Sequence, residues 1–101
     1  MTARDRVQLR NPDPTKQMPA MARDQYDLVR GLVRTVVPRR APGITLDDYL
    51  AEIKSRLPQE KGWDPSVAAG WCGMAIKLDL EARGELRRIN DRPPQRIVRT
   101  S

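Results

Sequence analysis

Apolar residues recur every three or four positions in three separate stretches of the chain, and this spacing predicts three amphipathic helices. The first helix is predicted over 23–37 and ends before Pro38, because a proline disfavours helical geometry in the residue before it. The second is predicted over 46–57, with Thr45 as its N-cap residue and Pro58 as its stop. The apolar positions are Tyr26, Val29, Leu32, Val33, Val36 and Val37 in the first helix and Leu46, Leu50, Ile53 and Leu57 in the second.

The third predicted helix, over 65–83, carries apolar residues around most of its circumference. Asp64 can cap its start, Pro65 suits the first helical position, and Gly84 suits the left-handed position beyond its end. A helix that is apolar on most sides is typically buried. The sequence therefore predicts that this helix is the central element of the core.

Two apolar sectors of the third helix are separated by a narrow, mostly polar sector. The broad apolar sector contains Val67, Trp71, Met74 and Leu78, the second contains Ala69, Ile76 and Leu80, and the narrow sector contains Ser66, Gly70, Gly73, Lys77 and Glu81. We predict that other elements pack on both apolar sectors and leave the narrow sector open to solvent. Trp71 then belongs to the core or lies under the N-terminal segment, with a dimer face as the alternative, and Cys72 is a small core residue.

Short alternating stretches at the two ends predict a small β component. Residues 1–6 are polar and predicted to be loose, and the turn signal Asn11-Pro12-Asp13-Pro14 allows a hairpin over 7–19. A second hairpin is predicted over 86–99, with Pro93 and Pro94 in its turn and a tail at 100–101. The fold class is therefore mainly α with a small β component, an α+β domain over 7–99.

Composition removes several functional classes. A chain of 101 residues suits one small domain. It has no histidine and one cysteine, so we expect no zinc site, no other metal, no cofactor and no imidazole-based catalysis, and an enzyme is the least favoured interpretation. The apolar stretches are too short for a signal peptide or a membrane span, which favours a cytoplasmic protein. The 19 basic residues exceed the 13 acidic ones and concentrate towards both ends, which suits contact with a polyanion.

Three helices followed by a basic hairpin resemble a winged helix-turn-helix domain. The long third helix ends in Leu80-Glu81-Ala82-Arg83-Gly84, which is similar to the end of the recognition helix in such domains. More narrowly, the segments 41–45, 69–71 and 77–84 resemble a family of small, functionally uncharacterised bacterial proteins of about this size. This resemblance runs from about Val7 to Arg99.

The winged-helix resemblance implies a DNA-binding module that acts in transcription regulation, with the third helix in the major groove of double-stranded DNA. The residues implied in DNA contact are Ser66, Gly70, Gly73 and Lys77 on the helix and Arg87, Arg88, Arg92, Arg96 and Arg99 on the wing. Base readout normally uses Arg, Lys, Asn or Gln, and the narrow sector of the helix offers only Lys77 of these, with Ser66 as a further polar group. The alternative is a protein–protein interaction module on the same scaffold, binding a partner protein or forming a homodimer.

Overall fold

The computed structural model describes residues 5–101, which form three helices and two small antiparallel sheets. The elements in chain order are β1 (Arg6–Gln8), β2 (Ala20–Ala22), α1 (Arg23–Val36), β3 (Ile44–Thr45), α2 (Leu46–Arg56), a 3₁₀ turn (Leu57–Gln59), α3 (Ala69–Ala82), β4 (Leu86–Arg88) and β5 (Arg96–Arg99). Strands β1 and β2 pair with each other, and the second sheet has the order β3–β5–β4. The predicted α+β class is confirmed.

The three helices enclose one hydrophobic core, to which both sheets contribute. Each helix packs against the other two, and the buried face of α1 is the one that the apolar spacing predicts. In α2 the spacing identifies the buried Ile53, but Leu46 and Leu50 are half-buried and the fully buried Tyr49 was not among the predicted apolar positions. Aromatic filling comes from Tyr26, Tyr49 and Trp63, all of which are buried. The fully buried aliphatic side chains are Val29, Val33, Val37, Ile53, Leu57, Ile76, Leu80 and Ile97.

Helix α3 begins at Ala69, so the prediction that it starts at Pro65 is wrong over its first turn. The Asp64 carboxylate does not cap the helix. Its Oδ1 instead accepts hydrogen bonds from the Ser66 main-chain nitrogen at 2.9 Å and from the Ser66 hydroxyl at 2.7 Å. This local turn competes with helix formation, as Asp side chains commonly do. The Ala68 carbonyl then accepts the first helical bond from Cys72 N at 3.0 Å.

Both ends of the described chain are tied to the domain. Residues 1–4 of the segment predicted to be loose lie outside the described residues, whereas Arg6 begins β1 and the Asp5 carbonyl accepts a hydrogen bond from Arg23 N at 3.0 Å. The return strand of the first hairpin lies later than predicted, at β2. At the other end Thr100 N donates to the Glu85 carbonyl at 3.0 Å, so the predicted tail continues the β4–β5 ladder.

The short strand β3 lies between α1 and α2 and was absent from the prediction. Its Ile44 pairs with Ile97 of the central strand β5. Gly43, just before it, has a φ of 73°, and a Cβ added there would lie 2.4 Å from the Ile97 carbonyl oxygen. Glycine is required at this position because both the backbone conformation and the close approach exclude a side chain. This pairing joins the start of α2 to the second hairpin.

Candidate functional site

The exposed side of α3 is apolar. Trp71 is 51% exposed and is the one large hydrophobic residue classed as exposed among residues 5–101, and Met74 and Leu78 are half-buried. These three residues, which we call the α3 apolar stripe, lie at positions i, i+3 and i+7 and therefore share one face over about 10 Å of helix. The prediction that Trp71 belongs to the core or lies under the N-terminal segment is wrong.

The sector predicted to be open is instead packed against α2. A Cβ added to Gly73 would lie 3.0 Å from Ile53 Cγ2, and one added to Gly70 would lie 2.7 Å from Lys54 Cε. The two glycines thus allow α2 to approach closely, as small residues do at helix contacts. Gly73 is buried as a result, and the prediction that this side of α3 faces solvent is wrong.

Lys77 and Ser66, the two residues of that sector whose polar side chains were implied in DNA contact, are not free groups on α3. Lys77 is 4% exposed. Its Nζ lies 2.9 Å from Glu81 Oε1 and donates a hydrogen bond to Gln95 Oε1. Ser66 is exposed but precedes the helix, and its hydroxyl donates to Asp64. None of the four helix residues implied in DNA contact therefore presents an available side chain on the exposed face of α3.

The five arginines of the β4–β5 hairpin, which the resemblance names the wing, are in three different situations. Arg87, Arg88 and Arg92 are exposed, and their guanidinium groups make no hydrogen bond or ion pair with any residue from 5 to 101. Arg99 has a structural role, because its Nε donates to the Val37 carbonyl at 2.8 Å and a terminal nitrogen donates to the Ser101 carbonyl at 2.7 Å. Arg96 is half-buried. Three of the five predicted residues are thus available to a partner.

An open groove of about 650 Å³ lies between α3 and the wing, and we call it the α3–wing groove. Its apolar lining consists of Met74 and Leu78 from the α3 apolar stripe together with Leu46 and Leu86. The turn at 11–13 also lines the groove, as do the polar residues Lys77, Glu81, Arg87, Arg88 and Gln95. The groove could not be predicted from the sequence, because the positions that line it come from five separate segments of the chain: 11–13, 46, 74–81, 86–88 and 95.

A buried carboxylate holds the N-terminal wall of the groove in place. Asp79 is fully buried on α3 and accepts hydrogen bonds from Arg10 N at 2.8 Å, from the Tyr26 hydroxyl at 2.6 Å and from Arg83 Nε at 2.9 Å. Arg83 also donates to the Gln8 carbonyl at 3.0 Å and lies 5.6 Å from the centroid of the Tyr26 ring. Burial and the bond to Asp79 raise the pKa of Tyr26. The spacing of Asp79 and Arg83, four residues apart, is the one local signal for this network.

The remaining reactive side chains do not converge on the groove. Cys72 is buried, and burial raises the pKa of its thiol to about 11, which keeps it protonated near neutral pH. Within residues 5–101 no three Cys, Asp or Glu side chains lie together as metal ligands would. In the same part of the chain no helix is long and apolar enough to cross a membrane. The groove itself offers apolar surface and unpaired positive charge.

These features define a small α+β protein with an apolar helix face beside a basic hairpin. Residues 6–97 match a family described as a family of unknown function, DUF6958, and the chain therefore belongs to that family. No curated protein and no solved structure shows a significant match to the chain.

Proposed function

We propose that this protein is a protein-interaction module that docks a partner on the α3 apolar stripe. The observation that carries the proposal is the exposure of Trp71 above Met74 and Leu78 on one face of the most apolar helix. Contiguous exposed apolar surface marks interaction sites, and tryptophan is strongly enriched among the residues that dominate binding energy. The unpaired Arg87 and Arg88 beside the stripe would add a polar rim.

We further propose that the scaffold is a winged helix-turn-helix domain. Its support is the order α1–β3–α2–α3–β4–β5 and the sheet order β3–β5–β4, in which the last two strands form the wing. In this assignment α3 occupies the position of the recognition helix. The helix carries Trp71, Met74 and Leu78 outward where a DNA reader carries polar side chains, which favours a protein partner.

Affinity purification of the tagged protein from a lysate tests the interaction proposal, and Trp71→Ser is the key variant. The native protein should retain one stoichiometric partner that the variant loses, while Ala51→Ser on the exposed side of α2 retains it. Sedimentation equilibrium of the purified protein should be measured first. If the protein is a dimer and the Trp71→Ser variant is a monomer, the partner is a second copy of the chain. A monomer that retains nothing, or a partner that the Trp71 variant also retains, would overturn the proposal.

DNA binding is a second candidate, and the exposed wing favours it. The guanidinium groups of Arg87, Arg88 and Arg92 have no ion-pair partner among residues 5–101, which is what sequence-independent phosphate contact requires. In this version the wing would supply the affinity and α3 would supply little base readout. Lys77 would act only by holding the wing against α3 through Gln95.

Fluorescence anisotropy with a labelled DNA duplex at several salt concentrations tests this second candidate. If all three arginines contact phosphates, the triple variant Arg87→Ser/Arg88→Ser/Arg92→Ser should reduce the slope of log affinity against log salt by about 2.7, from about 0.9 per contact. Lys61→Ser, at an exposed position in the connection between the 3₁₀ turn and α3, serves as the control. The absence of binding at about 50 mM salt would remove the candidate.

A further inference from the structure

We propose that the α3–wing groove receives an extended segment of a partner protein, which adds as a strand to the free edge of β4 and places a carboxylate beside Arg88. This inference rests on the proposed protein-interaction function and names the chemistry of the partner. Three observations carry it. They are the hydrogen-bonding pattern of β4, the apolar lining next to that strand, and the unpaired charge at its end.

Strand β4 has one paired edge and one free edge. On the paired side the Glu85 carbonyl accepts from Thr100 N, and Ile89 N donates to the Arg96 carbonyl, both at 3.0 Å. Bonded and non-bonded pairs alternate along an antiparallel ladder, so Arg87, which is opposite Val98 midway between these two pairs, is also at a bonded position. In an antiparallel pair the residues between bonded positions direct their main-chain groups to the other side. The N–H and C=O groups of Leu86 and Arg88 therefore point away from β5, towards the side of β4 on which no other strand pairs among residues 5–101. Leu86 is 3% exposed, whereas Arg88 is exposed, so Arg88 offers the more open of the two positions.

The free edge runs along the groove. Leu86, Arg87 and Arg88 all line it, although successive side chains of a strand point to opposite faces. A cavity that touches three successive residues follows the edge of the strand. Met74 and Leu78 lie across the same groove. A segment paired with β4 would therefore direct alternate side chains towards these two apolar residues, which is how sheet-edge binders read sequence.

The charges of the groove favour a carboxylate on the β4 side. Arg87 and Arg88 are unpaired, whereas the nearby Glu81 is neutralised by Lys77 at 2.9 Å. The remaining acidic residue of the groove, Asp13, lies in the turn at 11–13, and Asp47 and Asp91 line a neighbouring cavity together with Arg88. An acidic side chain at the β4 end of the segment thus meets positive charge, whereas one placed towards Asp13 meets repulsion. The fitting segment alternates apolar residues with one or two acidic residues rather than being acidic throughout.

Charge also argues against a second copy of this chain as the occupant of the edge. Pairing two β4 strands would place the arginines of one copy against those of the other, and like charges on facing strands are destabilising. Charged residues on an edge strand are a common protection against such pairing. A helical occupant would leave the main-chain groups of Leu86 and Arg88 unpaired. An extended acidic segment satisfies both the main-chain groups and the arginines.

The first test is selection from a displayed library of random eight-residue peptides against the whole native protein. We expect enriched peptides in which apolar residues alternate with polar ones and aspartate or glutamate recurs at a fixed position. Arg88→Glu should weaken the best synthetic peptide by about tenfold or more, the loss of one charge-assisted contact. Arg39→Glu, a matched charge reversal at an exposed site, should leave its affinity unchanged. No enrichment, or apolar residues spaced every three or four positions, would overturn the inference.

The second test needs no change to the protein. N-methylation of the peptide, one main-chain nitrogen at a time, should weaken binding at alternate positions and have little effect between them, because only alternate amides of an added strand bond to β4. Equal effects at all positions would contradict strand addition. Peptides that lose binding with Trp71→Ser but tolerate both N-methylation and Arg88→Glu would overturn this inference while leaving the proposed interaction function standing.

Discussion

Replacing Asp79 with asparagine should destabilise the domain more than any other change of a carboxylate to an amide among residues 5–101. Asp79 is fully buried, and its two oxygens accept hydrogen bonds from Arg10 N, the Tyr26 hydroxyl and Arg83 Nε. Asparagine keeps the shape but has one acceptor oxygen, and its NH₂ group would face a donor. The change therefore leaves at least one buried donor without a partner and removes the negative charge beside Arg83.

The magnitude follows from the number of bonds and from burial. Hydrogen bonds to charged groups contribute roughly 1.5–3 kcal/mol each, and breaking a buried ion pair costs about 3–5 kcal/mol. Arg83 is 25% exposed and can recover some hydration, so we expect a loss of about 3 kcal/mol, towards the lower end of that range. A domain of this size has about 5–15 kcal/mol of stability in total. Asp79→Asn should therefore remove a large fraction of it.

Urea unfolding followed by tryptophan fluorescence measures this loss, with Glu85→Gln as the matched control. Glu85 pairs with Arg30 at 2.6 Å but is 25% exposed, so the same chemical change there should cost about 1 kcal/mol or less. In the Asp79→Asn background, Tyr26→Phe should cost less than it does alone, because the two side chains share one bond. The reasoning is refuted if Asp79→Asn loses no more stability than Glu85→Gln.

Three further outcomes are expected. Gly31→Ala should stabilise α1 by about 0.5–1 kcal/mol, because nothing lies within 4 Å of the added Cβ. Gly73→Ala should be at least about 1 kcal/mol less stable than Gly31→Ala, because its added Cβ meets Ile53. The midpoints of urea unfolding of the two variants test this difference. The thiol of Cys72 keeps its proton up to about pH 11 in the folded protein and loses it near pH 9 in the unfolded chain. The free energy of unfolding should therefore decrease as the pH rises from 9 to 11. Cys72→Ala should make this decrease less steep, and the decrease that remains is due to the buried tyrosines. Trp71→Ser should change stability by no more than about 1 kcal/mol by the same measurement, and a larger loss would mean that Trp71 contributes to the fold.

Local patterns were sufficient to predict the helices but not their outward faces. The spacing of apolar residues in α1 identifies the side that this helix buries, and in α2 it identifies the buried Ile53, because both helices have one polar and one apolar side. Helix α3 is apolar on most sides, so its own sequence cannot decide which part stays uncovered. The uncovered part depends on where α2 and the β4–β5 hairpin pack. Their positions are set by contacts of Ile53 and Gln95 with α3, and neither residue belongs to α3.

The glycines and Lys77 of α3 were predicted to face solvent for an understandable reason. Charged residues are usually exposed, and a narrow sector without bulky apolar side chains between two apolar sectors is typical of an open face. Here Gly73 is small so that Ile53 can approach, and Lys77 is buried together with its partner Glu81. Pairing of this kind is the condition under which a buried charge is tolerated. Strand β3 was missed because two residues carry no detectable alternation.

The orientation of α3 about its own axis is what connects the fold to the proposed function. A rotation that buried Trp71 and exposed Lys77 would remove apolar surface from water and return a charge to it, which hydration alone would favour. The chain prevents this rotation at two points, through the contact of Gly73 with Ile53 and through the bonds of Asp79 to Tyr26 and Arg10. Folding thus accepts two buried charged groups, Lys77 and Asp79, and leaves a tryptophan exposed. Ion pairing with Glu81 and Arg83 accounts for the two buried charges, and the exposed tryptophan is the feature that the proposed partner would cover.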